Sequence, residues 1–255
     1  MLTTAASDDP ARLRRWPRLG ASQCEVCRSW SAQRLCADCL VRFAAPVPRC
    51  RRCALRVPAG VPLCGPCLSD ATSFSRACCV ADYAFPWDRL ISSFKFHGHV
   101  ELATPLADAL AAALMQARRT DPPTAGDPGP ELVLPVPLAP RRLAERGYNQ
   151  AWELTRRVAR RLRLRADAGL LLRPVETAHQ AELERVQRLA NLRGAFMVDP
   201  RRREALAGRR VALVDDVMTT GATAREAART LLRAGAAAVD LWVIARTPDD
   251  RSATG

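Results

Sequence analysis

The segment Val211-Ala-Leu-Val-Asp-Asp-Val-Met-Thr-Thr-Gly-Ala-Thr223 decides the fold. Its first four residues are apolar, the pattern of a short buried strand. An acidic pair follows, Asp215 and Asp216, and then hydroxylated residues around one glycine. Ala224 to Ala234 has helical periodicity, and Gly235 stands where a helix C-cap is expected. A strand that turns through Thr and Gly into a helix leaves unpaired N–H groups and the positive helix end at one spot, and such a spot holds a phosphate. The Thr219, Thr220 and Thr223 hydroxyls add donors there.

Carboxylates beside a phosphate repel it, so the two acids need a different partner. Sugar hydroxyls close to the phosphate supply one, and the expected ligand therefore carries both a ribose diol and a phosphate. The plainer reading is an ordinary strand-to-helix turn in which Thr223 and Glu226 form a capping box. Strand, acid pair, Thr/Gly loop and helix in a single run favour the ligand site.

Eight of the ten cysteines form four CxxC pairs, Cys24/Cys27, Cys36/Cys39, Cys50/Cys53 and Cys64/Cys67. Two CxxC knuckles complete a tetrahedral Cys₄ zinc site, closed and therefore structural. Short spacers favour sequential use, one zinc for the first four cysteines and one for the next four; an interleaved cross-brace is the alternative. Neither ribbon holds enough apolar residues to fold alone, and metal binding supplies folding free energy on the order of 10 kcal/mol per site. Arg49, Arg51, Arg52 and Arg56 surround the second ribbon, either to touch phosphates or as a solvated basic surface. Adjacent Cys78 and Cys79 read as small buried hydrophobes.

The 255 residues carry a net charge of +13, almost all of it arginine because Lys95 is the sole lysine. Polyanions are the natural partners of such a field, whether phosphorylated metabolites or nucleic acid. No run of 18 apolar residues exists, and the first 20 residues lack a signal peptide's apolar centre, so a cytoplasmic protein is expected. Residues 1–21 and 248–255 read as flexible tails, 22–72 as a double zinc ribbon and 77–247 as one α/β domain.

Within that domain Cys78 to Phe85 reads as a strand, Trp87 to Phe96 as a short helix or turn, and Glu101 to Arg118 as a helix. Lys95 between two aromatics reads as a snorkelling surface side chain, and His97 and His99 as exposed or capping residues. Glu131 to Leu138 is a buried strand ended by two prolines. Pro135 to Arg146 reads as a loop on the rim that carries Asp215, where Arg141, Arg142 and Arg146 can hold a pyrophosphate by bidentate bonds. The alternative is a rigid proline turn beside a basic surface helix, whose outer face holds Arg156, Arg157, Arg160, Arg161 and Arg163. The polar segment Thr177 to Phe196 precedes the strand Ala195–Val198 and is placed to act as a lid.

The thirteen residues Val211 to Thr223 resemble the signature of type I phosphoribosyltransferases, which bind phosphoribosyl pyrophosphate (PRPP). The resemblance implies that Asp215 and Asp216 hold the ribose hydroxyls as the catalytic acids. It places Val217, Met218, Thr219, Thr220, Gly221, Ala222 and Thr223 in the PRPP-binding set, with Met218 to Thr223 around the 5′-phosphate. The full series of landmarks is similar to the ComF family over roughly residues 22–247. Those landmarks are the ribbons, Phe94-Lys-Phe/Gly98, Pro135-Val-Pro-Leu138, Arg146-Gly-Tyr-Asn-Gln150, Gln180…Arg188…Asn191…Gly194-Ala-Phe196 and the PRPP signature. The implied architecture is α/β, a type I phosphoribosyltransferase fold with a parallel twisted sheet and helices on both faces, behind a small Cys-rich zinc-ribbon domain. The resemblance assigns Pro135, Val136, Pro137 and Leu138 to a pyrophosphate loop, with Arg141, Arg142 and Arg146 beside it. It assigns Gln180, Arg188 and Asn191 to a hood for the acceptor; His179 receives no role.

Two functional readings follow. One is an enzyme that transfers ribose 5-phosphate from PRPP, with Mg²⁺, to a nitrogen acceptor that the sequence does not name. It is linked through its family to DNA uptake in natural competence. The other is an accessory protein of transformation that binds single-stranded DNA and whose PRPP pocket is regulatory or vestigial. Residues 141–210 hold 18 arginines against 8 acids, which suits a DNA strand, but aromatics make up only 5 % of the chain and stacking platforms are scarce. A purely structural ribbon module leaves the acid pair unexplained. Competence-machinery proteins and a second copy of the chain are the further expected partners.

Overall fold

The fold is seen in a computed structural model that describes residues 22–69, 73–122, 128–174 and 194–249. At the N-terminal end β1 (Ser22–Gln23) and β2 (Trp30–Ser31) pair antiparallel, followed by α1 (Ala37–Phe43) and α2 (Gly65–Ser69). Five parallel strands then build one sheet: β3 (Arg76–Asp82), β4 (Leu132–Pro135), β5 (Arg165–Ala166), β8 (Arg210–Met218) and β9 (Ala238–Arg246). Their order is β3-β9-β8-β4-β5, and every neighbouring pair is parallel. The short strands β6 (Leu171–Leu172) and β7 (Met197–Val198) form a separate antiparallel pair.

The sheet is central because its middle strands bury both faces. All nine residues of β9 are buried, in the near-continuous apolar run Ala238-Val-Asp-Leu-Trp-Val-Ile-Ala-Arg246 that parallel sheets require. One face is covered by α3 (Trp87–Phe96), α4 (Ala103–Thr120) and α6 (Gln150–Leu162), whose Ile91, Phe94, Leu106, Leu110, Leu154 and Val158 are fully enclosed. Each such side chain contributes about 1.5–3 kcal/mol of burial free energy. The other face is covered by α7 (Ala222–Arg233) through Ala224, Ala227, Ala228 and Leu231, and by the β6–β7 pair.

The cysteine-rich segment straddles the β3 edge. Leu35, Leu40 and Phe43 of its first half join the α3–α4 core, whereas Cys50, Cys53, Ala54 and Cys67 of its second half join the α7 core. The arginines of the second half each hold a partner. Arg49 and Arg56 pair with Asp82 at the end of β3, Arg51 pairs with Asp121, and Arg52 donates to the Cys67 carbonyl at 3.1 Å. Arg49 and Arg56 tie the ribbon to β3, while Arg51 and Arg56 also stay exposed as part of a basic surface.

Three local elements differ from the sequence expectation. The strand β8 does not stop at Val214 but runs through both acids to Met218, paired with β9 up to Arg246. The rim segment is not a continuous loop, because Pro140 to Arg146 forms a one-to-two-turn helix, α5, with proline at its start and Gly147 (φ 78°) closing it. The helix after the glycine begins at Ala222, two residues early, with Gly221 as its N-cap, so Thr223 and Glu226 form no capping box. Glu226 instead accepts the Gly194 N–H at 3.1 Å.

Candidate functional site

The carboxyl ends of β4 and β8 meet on one rim of the sheet. Strand geometry sets the first feature of the site: successive side chains of β8 point to opposite faces. Asp216 therefore turns toward α3 and is 2 % exposed, while Asp215 turns toward the β6 side and is half-buried. Lys95, near the end of α3, meets Asp216 with its Nζ 2.7 Å from Oδ1. The snorkelling reading of Lys95 is thus corrected: its ammonium is the counter-charge of a buried acid. The clue in the sequence was a single lysine flanked by aromatics, a position that places a long cation beside a core rather than in water.

Asp216 Oδ2 is buried and has no hydrogen-bond partner. A buried carboxylate oxygen without a donor costs free energy that is recovered once a ligand supplies one. Asp215 Oδ1 accepts the Asp216 N–H at 2.8 Å. Burial first, and then the neighbouring Asp216 charge, push the Asp215 carboxyl up to about 7, with Lys95 opposing.

The chain then turns. Gly221 has φ 75°, and a side-chain carbon placed there would lie 2.3 Å from Met218 Cε. Glycine is the residue that takes this left-handed corner without strain. Arg225 Nη2 donates to the Thr220 carbonyl at 2.6 Å and steadies the turn from inside α7. Thr219 and Thr220 remain exposed over the helix start. The result is a set of N–H groups and hydroxyls next to the acid pair.

On the opposite side of the cleft Pro135, Val136 and Pro137 are buried, and the Val136 N–H bonds the Val214 carbonyl at 2.9 Å. The two prolines carry no N–H, and the Val136 N–H is already used, so side chains or the N–H groups after Pro137 would hold an anion here. Arg173 lies near both Asp215 and Arg142, and it stacks over the Phe196 ring at 5.4 Å. Burial, then the Arg142 charge, lower the Arg173 guanidinium, while Asp215 opposes. Arg173 was missed in the sequence, where an arginine leaving the Leu170–Leu172 run before a proline is its only mark. Arg141 faces outward in a pair with Glu145, and Arg146 donates to Gln150 Oε1 at 2.5 Å and lies over Phe96.

The Arg146-Gly-Tyr-Asn-Gln150 run acts as a connector. Gly147 ends α5, the Tyr148 hydroxyl donates to the Phe94 carbonyl, and Asn149 caps α6 while donating to the Val136 carbonyl at 3.3 Å. It fixes α3, α6 and the rim in one arrangement. Along α6, Arg156 and Arg157 share Glu153, and Arg161 pairs with Asp108, so two carboxylates offset part of the charge of a five-arginine face. Gln180, Arg188, Asn191 and His179 lie outside the described residues.

The cysteines fall into two sequential groups, Cys24, Cys27, Cys36, Cys39 and Cys50, Cys53, Cys64, Cys67, each with all sulfurs within 4.8 Å. The Cys27–Cys36 and Cys53–Cys64 sulfurs are 3.6 and 3.5 Å apart. A zinc tetrahedron with bonds of about 2.3 Å has edges of about 3.8 Å, so the donor sets fit. Burial, then neighbouring sulfurs, push the Cys39 and Cys67 thiols up, whereas Cys27 and Cys50 are lowered to about 6 and about 7, so each group mixes ready thiolates with thiols that a bound cation would have to deprotonate.

Comparison with known proteins identifies the family. The family model described as a phosphoribosyl transferase domain matches residues 155–254. The DNA utilization protein YhgH of Salmonella typhi is 36 % identical over 227 residues, 88 % of this chain and 96 % of that protein. The Escherichia coli K12 protein of the same name is 38 % identical over 183 residues, 72 % of this chain and 77 % of that one. Competence protein F of Haemophilus influenzae is 33 % identical over 212 residues, 83 % of this chain and 90 % of that protein. The chain belongs to the ComF family. Its parallel five-stranded sheet is of the type I phosphoribosyltransferase kind, and both Cys₄ groups suit the N-terminal zinc ribbon of a ComF protein. Among the described residues no helix is long and apolar enough to cross a membrane.

Proposed function

We propose that this ComF-family chain binds PRPP with Mg²⁺ on the rim of its sheet and supports phosphoribosyl transfer there. The observation that carries the reading is the buried, donor-less Asp216 Oδ2 beside Lys95, one strand end away from the Gly221 loop. A sugar hydroxyl supplies the missing donor, and the N–H groups and hydroxyls from Met218 to Thr223 accept the 5′-phosphate. Asp215 takes the second hydroxyl from the other side of the strand. Arg142 and Arg173 face the pyrophosphate, with Pro135 to Leu138 as the floor and Arg141 and Arg146 on the outer rim. Mg²⁺ would enter with the ligand and would supply positive charge for the pyrophosphate leaving group. The chain's own contribution is positional and electrostatic: it orients the sugar, places carboxylates near the developing positive charge and arginines near the leaving group.

Gln180, Arg188 and Asn191 complete the proposal as the acceptor-facing hood. Zinc in the two Cys₄ groups is structural. The names of the relatives concern DNA utilization and competence, and we place this chain in that setting, with single-stranded DNA or competence proteins as partners and a second copy as a further one. The test is isothermal titration of the full chain with PRPP and Mg²⁺. Saturable binding lost in Asp215→Asn/Asp216→Asn supports the reading, and binding unchanged by that double substitution removes it.

A further inference from the structure

A buried arginine joins the second Cys₄ group to the proposed phosphate loop. Arg246, the last residue of β9, is 8 % exposed. Its Nε donates to the carbonyl of Cys53 at 3.0 Å, and Cys53 is a sulfur donor of the second group. Its Nη1 donates to the carbonyls of Met218 at 3.1 Å, Thr247 at 2.7 Å, and Thr219. One planar guanidinium thus holds the cysteine knuckle with one edge and the first two residues of the loop with another. The reach is long in sequence, 193 residues from Arg246 to Cys53.

Two further observations make the link mechanical rather than incidental. The loop leaves the sheet at this point: Met218, whose carbonyl also accepts the Thr247 N–H at 3.0 Å, ends the strand, and Thr219 and Thr220 are exposed. The knuckle is itself fastened to the sheet, with Cys50, Cys53 and Ala54 in the apolar core, the Ala77 N–H of β3 on the Arg51 carbonyl at 2.7 Å and Arg49 on the Ala54 carbonyl at 3.0 Å, so a shift there is passed on through a rigid body. A Cys₄ site that holds Zn²⁺ carries a formal charge of −2, and a buried guanidinium is a suitable neighbour for it. Guanidinium is also the group whose rigid fork serves two sets of acceptors at once.

We propose that Arg246 is a positioning residue that couples zinc occupancy of the Cys50/Cys53/Cys64/Cys67 group to the geometry of the Met218–Thr223 loop, so that zinc and the loop's anionic ligand strengthen each other's binding. The inference rests on reading that loop as the phosphate cradle. Coupling of this kind is reciprocal, since whatever the metal does for the ligand the ligand does for the metal. Among the described residues no such link reaches the first cysteine group, whose side of the fold packs on α3 and α4.

The experiment uses the full zinc-loaded chain and two readouts. In the first, a chromogenic chelator in excess reports zinc release with and without PRPP and Mg²⁺. PRPP is expected to slow the release of one of two zinc equivalents by at least threefold in the parent protein and to leave it unchanged in Arg246→Gln. In the second, amide exchange of the peptide spanning 216–223 is followed without ligand. Exchange at least tenfold faster in Arg246→Gln than in the parent, partly restored in Arg246→Lys, is the expected result. PRPP that binds the parent yet alters neither zinc's release overturns the inference and leaves the proposed function standing. Failure of PRPP to bind the parent removes the proposed function, while the exchange arm still decides whether Arg246 holds the loop. Loop exchange equal in the parent and Arg246→Gln overturns the inference as well.

Discussion

Lys95 and Asp216 show how a single buried pair ties stability to the site. Asp216 is enclosed, and the Lys95 ammonium is the cation beside it. Removing one member of a buried pair strands the other, at a typical cost of about 3–5 kcal/mol, whereas removing both costs far less. Lys95→Met is therefore expected to lose most of that stability in urea titration, and Lys95→Met/Asp216→Leu to recover most of it; equal losses in single and double variants would contradict the assignment. Asp215 sets a pH dependence of a different sign from the usual carboxylate. Its folded value is raised from 3.8 to about 7, so between those limits the native state holds a proton that the unfolded chain does not. The stabilisation from this group is present at low pH and lost as pH rises through about 7. Asp215→Asn is thus expected to gain stability relative to the parent as pH rises from about 4 to about 7, the interval between the unfolded and folded values. PRPP affinity of the parent should rise over the same interval, because a sugar hydroxyl needs the ionised acceptor, and a parallel profile in the Asn variant would exclude Asp215 as the titrating group.

At the scale of elements, the corner at Gly221 governs the loop. Gly221→Ala forces a side chain into a left-handed conformation at a cost of about 1–2 kcal/mol and toward Met218 Cε, which can swing aside. The expected outcome is a modest fall in thermal stability with a loss of PRPP binding of tenfold or more; a fall in stability alone would show that the loop does not touch the ligand. Much of this element was legible beforehand, because apolar run, acid pair, Thr/Gly turn and amphipathic helix are local patterns. The extent of β8 was not, since Asp215 and Asp216 are poor strand formers by propensity and stay in the ladder only because β9 pairs with them to Arg246. For the same reason Lys95 was misread: its partner lies 121 residues away, beyond any window of periodicity. Arg173 escaped because nothing in sequence brings the β6 exit beside β8. The α5 helix was hidden by the prolines around it, although proline at the start and glycine at the end are the marks of a short helix.

At the scale of the whole molecule, the cysteine groups are not a bead on a string. Cys50, Cys53 and Cys67 sit in the same apolar cluster as Leu213, Leu241 and Val243 of the central strands, while Leu35 joins the cluster on the other face. Arg49, Arg56 and Arg246 add polar fastenings at the ends of β3 and β9. A structural zinc contributes an apparent free energy of about 10–16 kcal/mol, comparable with the whole stability of a typical domain. Losing it should therefore unfold ribbon and sheet as one unit. Calorimetry of the zinc-loaded chain is expected to show a single transition, and a strong chelator should shift that entire transition downward. A ribbon that folded apart from the sheet would instead give a second, chelator-sensitive transition while the main one stayed in place. That outcome is distinguishable because the buried Trp87 and Trp242 report the α3 side of the sheet by fluorescence. If these tryptophans keep their native signal at a temperature where both zinc ions have been released, the cysteine groups stabilise only themselves, and the shared cores on the two faces do not couple them to the strands that carry the site.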